Sequence, residues 1–337
     1  MASPNRPSKA LRKGAAFASV ALGAFALASV AIGQPKPPVN TDPDAASNTT
    51  TPAGSRPPGA PFDTPTKPIY NSVPLTLPAY QSDKLVAGEV DMPTYDGHTI
   101  KAYRAYPKGH LKNAPVVLFQ PMIVGECGLM HQDYVRRIAA RGFYVIMPNM
   151  PHRWHPDACH DVFKDADPTH HTIVHDMVAY PDDAEQTLDM MWAMKYAAKE
   201  GASATKVGFW GYDGGARTAF KMLAHIPQLK AAISNSGPLV ATPLSTPTLH
   251  ESYPTPVDLA DRLGGRMFAI EGAHDPQVKA EDIQQMRDAL KKAGDDKTVI
   301  LVYPNAGHGF MTQWDTTEDS KDAWNKAVDW LHSHGVK

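Results

Sequence analysis

Cysteine is nearly absent, with only two in 337 residues. Neither belongs to a CxxC pair or a zinc-type spacing, so a metal ribbon or a thioredoxin-like redox motif is excluded. Charge excess of either sign is also missing. The formal net charge is −2, which leaves no electrostatic footprint for nucleic acid and no acidic tail. No internal repeat is evident, which argues against a solenoid or propeller. No glycine-rich loop cradles a phosphate apart from one strand-to-helix turn taken up below, and no organic cofactor is implied. Beyond residue 32 there is no apolar run long enough to cross a bilayer.

The one long apolar run is N-terminal. Arg6, Lys9, Arg12 and Lys13 precede an Ala-rich stretch from Ala15 to Ile32, and Ala31-Ile32-Gly33 supplies small residues at a cleavage position. Residues 1–33 therefore read as a signal peptide and place the mature chain in the periplasm or outside the cell. Membrane association is expected only if this segment stays uncleaved. Residues 34–80 are rich in Pro, Thr, Ser, Asp and Asn, a composition that cannot bury a core and reads as a disordered linker. In an oxidising compartment Cys127 and Cys159 are expected to pair, because both fall in loops after neighbouring strands at one end of a sheet.

Residues 84–337 carry the folded domain, about 255 residues, a size suited to one large α/β unit. Leu85–Met92 and Thr99–Tyr106 alternate as strands do, and Asp96-Gly97 supplies a hairpin turn. Pro115–Phe119 and Phe143–Met147 are short and wholly apolar, as strands buried on both faces are. Lys206–Trp210, Ala231–Ser234, Met267–Ile270 and Val299–Tyr303 continue the series. Helices are predicted at His131–Arg141, Asp182–Lys199, Gly214–Ala224, Val257–Leu263, Glu281–Ala293 and Ser320–His334. A hairpin followed by alternating strand and helix predicts a doubly wound, mostly parallel sheet flanked by helices.

The most informative stretch is Gly208-Phe209-Trp210-Gly211-Tyr212-Asp213-Gly214-Gly215. It has the G-x-X-x-G frame of a nucleophile elbow, with Asp213 central, a buried strand before it and a helix after it. The turn is so sharp that a Cβ at Gly211 or Gly215 would collide with neighbouring backbone. The central side chain sits at a helix N-terminus, which favours an anion. Asp275 follows the strand Met267–Ile270, and His308 follows Val299–Tyr303. Nucleophile, acid, histidine is the chain order of α/β-hydrolases, and each residue lies at the carboxyl end of a parallel strand, where such sheets bind ligands.

From Pro115 onward the chain resembles the dienelactone hydrolase family of the α/β-hydrolase superfamily. The resemblance is carried by Val116–Gly125, Gly142-Phe143-Tyr144-Val145-Ile146-Met147-Pro148, the Gly211–Gly215 elbow, Gly272–Pro276, the helix ending Ala289–Gly294, and His308-Gly309-Phe310. It implies the α/β-hydrolase fold and hydrolysis of an ester or lactone through a thiolate or alkoxide. The sequence departs from that pattern in two places. Asp213 stands where the family has Cys or Ser, and a long His-, Asp- and Pro-rich segment, Pro151–Pro181, follows the strand Phe143–Met147.

A carboxylate attacks a carbonyl poorly, since the anhydride formed returns to reactants. Toward an sp³ carbon with a leaving group it is competent. The first expectation is therefore an Asp213–Asp275–His308 triad that hydrolyses an epoxide or alkyl halide through an aspartyl ester. Haloalkane dehalogenases and epoxide hydrolases resemble this arrangement, although the former carry a Trp immediately after the nucleophile, where Gly214 stands here. The oxyanion hole is expected from the N–H groups of Gly214 and of Met122 or Ile123, Pro121 having none to give. Tyr212, Trp154 and Arg153 are the candidate substrate contacts, and Trp210 reads as core. Two alternatives stand beside the first reading: an ester or lactone hydrolase with Asp213 as general base, and a non-catalytic binding protein on the same fold. The histidines 152, 155, 160, 171 and 175 fit no zinc motif, so no metal is expected. The expected partner is a small-molecule substrate; oligomeric state is not legible.

Overall fold

The computed structural model describes residues 83–121, 129–153, 183–240, 254–314 and 316–337. The signal segment, the linker, Met122, Ile123, Cys127, Trp154 and Cys159 lie outside the described residues, as does most of Pro151–Pro181. Among the described residues no helix is long and apolar enough to cross a membrane.

Eight strands form one sheet: β1 (Leu85–Pro93), β2 (Thr99–Pro107), β3 (Val116–Gln120), β4 (Tyr144–Pro148), β5 (Val207–Tyr212), β6 (Leu229–Asn235), β7 (Met267–His274) and β8 (Val299–Gly307). Their order across the sheet is β1-β2-β4-β3-β5-β6-β7-β8. β1 pairs antiparallel with β2, and β2 with β4; every other pair is parallel. This is the expected hairpin leading into a doubly wound parallel sheet. Among the described residues the α-helices are α1 (Leu129–Ala139), α2 (Asp183–Glu200), α3 (Gly214–His225), α4 (Ala280–Ala293) and α5 (Glu318–Ser333).

Residues of β3, β4 and β5 are buried at every position, because helices cover both faces. On one face Trp210, Ile233 and Phe268 pack with Tyr134 and Ile138 of α1 and with Trp324 and Leu331 of α5. On the other, Phe209, Ala232 and Met267 pack with Met190 of α2, Phe220 of α3 and Met286 of α4. Full burial of one such side chain contributes about 1.5–3 kcal/mol. Trp210 is wholly buried against Trp324, ring centroids 4.9 Å apart, as a core residue should be.

Two differences from the sequence reading matter for the site. Residues 256–262 form a 3-10 turn rather than an α-helix. Its start is fixed by Thr255, whose N–H and hydroxyl both donate to Asp258 Oδ2. More important, β7 and β8 run on past their apolar cores, to His274 and Gly307, and these two residues are partners in the ladder. The residues that come next on the two strands are Asp275 and His308. The extension that the polar composition hid is what delivers both to one place.

Sequential order reverses between β3 and β5: β4 lies on one side of β3, and β5 to β8 proceed on the other. At such a switch point, connections leave in opposite directions and open a crevice above the carboxyl ends. The elbow after β5 stands on that crevice.

Candidate active site

Asp213 is the single residue between β5 and α3. Its backbone is held at φ 54°, ψ −114°, a left-handed conformation that costs an L-residue about 1–3 kcal/mol. The surroundings over-determine it. The Asp213 N–H donates to Asn235 O at 2.9 Å, and Asp213 O accepts from Ala216 N–H at 2.9 Å. A Cβ added at Gly211 would overlap the backbone of Gly215, and one at Gly215 would overlap the carbonyl of Gln120. Only glycine lets the elbow sit this close to the neighbouring strand end.

An aspartate immediately before a helix is ordinarily an N-cap, its carboxylate accepting a first-turn N–H. Asp213 makes no such bond. Its Oδ2 instead lies 3.4 Å from His308 Nε2. The opposite ring nitrogen, Nδ1, lies 2.9 Å from Asp275 Oδ2. The three residues expected from the sequence are therefore brought together, in the order carboxylate, imidazole, carboxylate. The Asp275 side chain is fully buried, whereas those of Asp213 and His308 retain 13% and 18% exposure. The first is enclosed and the other two face the crevice.

Carboxylates only accept, so both ring nitrogens are satisfied together only when both carry hydrogen. Burial of His308 opposes its charge, but the Asp213 charge, the hydrogen bonds to both carboxylates and the Asp275 charge outweigh it and raise the pKa to about 10. The resting site therefore favours the imidazolium form of His308. Asp275 is fixed separately: its Oδ1 accepts from Gln277 N–H at 2.8 Å, and its own N–H donates to Gly272 O at 3.1 Å.

The histidine turn is pinned by residues the sequence reading did not single out. Gly309 is left-handed, φ 65°, and its N–H donates to Ser236 Oγ at 3.2 Å. Ser236 Oγ in turn donates to Asn235 Oδ1 at 3.1 Å, and Asn235 Nδ2 donates to Tyr134 Oη at 2.8 Å. A chain of polar groups thus runs from α1 through the end of β6 to the residue after His308. None belongs to a motif, and only tertiary contact reveals it.

Tyr212 is buried. Its ring stacks on Tyr134 with centroids 5.5 Å apart and lies 6.5 Å from the His308 ring. Burial, with the charges of Asp213 and Asp275 adding to it, raises its phenol well above the usual range, so it stays a neutral hydroxyl. The Gly214 N–H belongs to the first helical residue and so has no partner within the helix, as an oxyanion donor requires. Arg153 ends a 3-10 turn after β4. His152, one of the histidines weighed as a metal ligand, has Nε2 2.9 Å from Asp189 Oδ2, both side chains buried.

Glu271 was also missed. It sits on β7 four residues before Asp275, with no exposed surface. Ending the strand at Ile270 makes Glu271 look like a loop residue. Continuing the two-residue alternation from Met267 and Ala269 would have turned it into the core.

A strained residue at a strand-to-helix turn, with an acid and a histidine delivered by later strands, defines an α/β-hydrolase fold. The sequence profile of the dienelactone hydrolase family matches residues 100–335, and the chain belongs to that family and is a hydrolase. A Yersinia pestis protein named for carboxymethylenebutenolidase activity is 32% identical over 267 residues, 77% of this chain and 93% of its own length. A crystal structure from Klebsiella pneumoniae bearing the name dienelactone hydrolase is 30% identical. It superposes with a TM-score of 0.64 and covers 74% of this chain and 98% of its own. An esterase from Pyrococcus furiosus, 13% identical with a TM-score of 0.51 over 74% of this chain and 94% of its own, shares the fold.

Proposed function

We propose that this hydrolase acts on a small molecule bearing an sp³ carbon with a leaving group, an epoxide or alkyl halide, through an ester of Asp213. The observation that carries the reading is the Asp213 carboxylate. It stands at the elbow, forgoes the helix cap open to it, and faces His308 Nε2. In the first step an Asp213 oxygen forms a bond to carbon as the carbon–halogen bond, or one carbon–oxygen bond of the epoxide, breaks; the halide leaves to solvent, or the opened epoxide oxygen takes up a proton. Ester formation removes the Asp213 charge and with it a leading cause of the raised His308 pKa. The imidazole can then release its proton and serve as base. In the second step His308, oriented by Asp275, takes a proton from water, and the hydroxide adds to the Asp213 carboxyl carbon. The oxyanion is met by Gly214 N–H and a donor at Met122 or Ile123. Collapse expels the product alkoxide, which takes the proton back from His308.

The experiment is turnover in oxygen-18 water with mass analysis of the Asp213 peptide. Label entering Asp213 supports the ester. Label found only in product gives the site to a second reading, favoured by the carboxymethylenebutenolidase name of the Yersinia pestis relative. In that reading Asp213 is a general base for water attacking an ester or lactone. A panel holding a styrene-type epoxide, a bromoalkane, a lactone and a nitrophenyl ester supplies the substrate. Tyr212, Trp154 and Arg153 are proposed to line the substrate pocket. We also propose that residues 1–33 direct export, to be checked by fractionating cells that express the full chain.

A further inference from the structure

Glu271 is fully buried, and no side chain hydrogen-bonds its carboxyl oxygens; the polar group that approaches them is the backbone of Gly237. An isolated carboxylate in such a place costs far more than a neutral acid. Alternation along β7 puts Glu271 on the sheet face of Met267 and Ala269, the face covered by α3 and α4. In the ladder it stands opposite Val302 of β8, and on its other side Ser236 N–H donates to Ile270 O. Ser234 on β6, directed to the same face, is likewise fully buried with an unpartnered hydroxyl. The charged groups acting on Glu271 are Asp275, on the turn after its own strand, and His308, at the end of the neighbouring strand. From β6 it is met by the backbone of Gly237. On the covering helix, Arg217 and Lys221 have interactions of their own.

We propose that Glu271 is a positioning residue of the triad: a buried acid behind Asp275 and His308 whose charge state governs how tightly His308 holds its proton. Neutral, it leaves Asp275 as the only anion on that side, so His308 can give up its proton once Asp213 is esterified. Ionised, it adds a third carboxylate to the site and locks the imidazolium. Burial and the neighbouring Asp275 charge favour the neutral form, and the His308 charge and the Gly237 backbone oppose them only in part. No substrate contact is implied, since the group has no exposed surface.

This inference rests on the triad reading, but its experiment reads His308 itself and needs no turnover. The full chain with labelled histidine is titrated by NMR as the wild type, as Glu271→Gln and as Glu271→Met. Gln keeps the shape and cannot ionise; Met removes the polar group and guards against a folding defect in the first variant. In the wild type, coupling between Glu271 and His308 should give a two-step curve. In both variants the curve should become a single step, with its midpoint lower by about one unit or more. Superimposable curves in folded protein would overturn the proposal. A lowered midpoint with no label entering Asp213 on turnover would uphold Glu271 and sink the covalent mechanism, so the two failures are distinguishable.

Discussion

Two turns bring carboxylates to the same imidazole by opposite physical means. At the end of β5 the backbone of Asp213 is forced to φ 54° and has no room for a Cβ on either flanking glycine. At the end of β7 the Asp275 turn is unstrained, held by two ordinary hydrogen bonds and closed off from solvent. The strained turn presents a carboxylate that stays partly open to the crevice. The relaxed one presents a group that stays still and holds the histidine. Strain at the first is tolerated because β6, α3 and Gln120 box it in. At the second, precision comes from the β7–β8 ladder running to His274 and Gly307.

Substitutions at the two turns should therefore fail differently. Asp213→Asn should leave the fold intact and lower kcat on the substrate found by on the order of 10⁴-fold, by analogy with loss of a nucleophile elsewhere. Retained turnover would move the chemistry away from the elbow. Gly215→Val should cost stability instead, more than about 3 kcal/mol, because its side chain meets the Gln120 backbone, which cannot yield. Urea unfolding measures it, and a midpoint like that of the wild type would contradict the packing described here. Asp275→Asn should fold normally and slow turnover by about 10²-fold or more, the imidazole losing its anchor and tautomer.

The pH dependence separates histidine from backbone. His308 has a folded pKa near 10, above its ordinary value. The stability it contributes is complete below about pH 6.5 and is lost as pH rises toward 10. Chemical denaturation should show the wild type weakening across that window more steeply than His308→Gln. Parallel slopes would mean that the imidazolium does not form. The smallest effect is expected at Gly309→Ala. A left-handed backbone and the Tyr212 hydroxyl against the new methyl should cost about 1–2 kcal/mol. Adding Tyr212→Phe should recover part of that loss, as a double-mutant cycle would show.

Legibility in the sequence followed the same division. The elbow announced itself because a strained turn needs glycine at fixed spacing, and glycine is a letter that can be read. Asp275 and His308 were readable as loop residues after apolar strands. The ladder that joins them was not, since Glu271 to His274 and Pro304 to Gly307 carry no apolar signal. Pairing across a sheet is a property of two segments, and neither segment records it alone. The Tyr134–Asn235–Ser236–Gly309 chain was invisible for the same reason, joining three stretches far apart in sequence.

By itself, then, the sequence determined the order of elements, the doubly wound sheet and three side chains that the fold brings together. Periodicity, glycine spacing and chain order are local or one-dimensional properties. Tertiary structure alone decided that Asp213 turns from its helix cap toward His308, and that a place between two carboxylates favours the charged form of His308. It alone placed a buried acid, Glu271, on the strand that leads to Asp275. Charge state depends on burial and on distances between residues 33 to 95 positions apart, which only the folded chain sets.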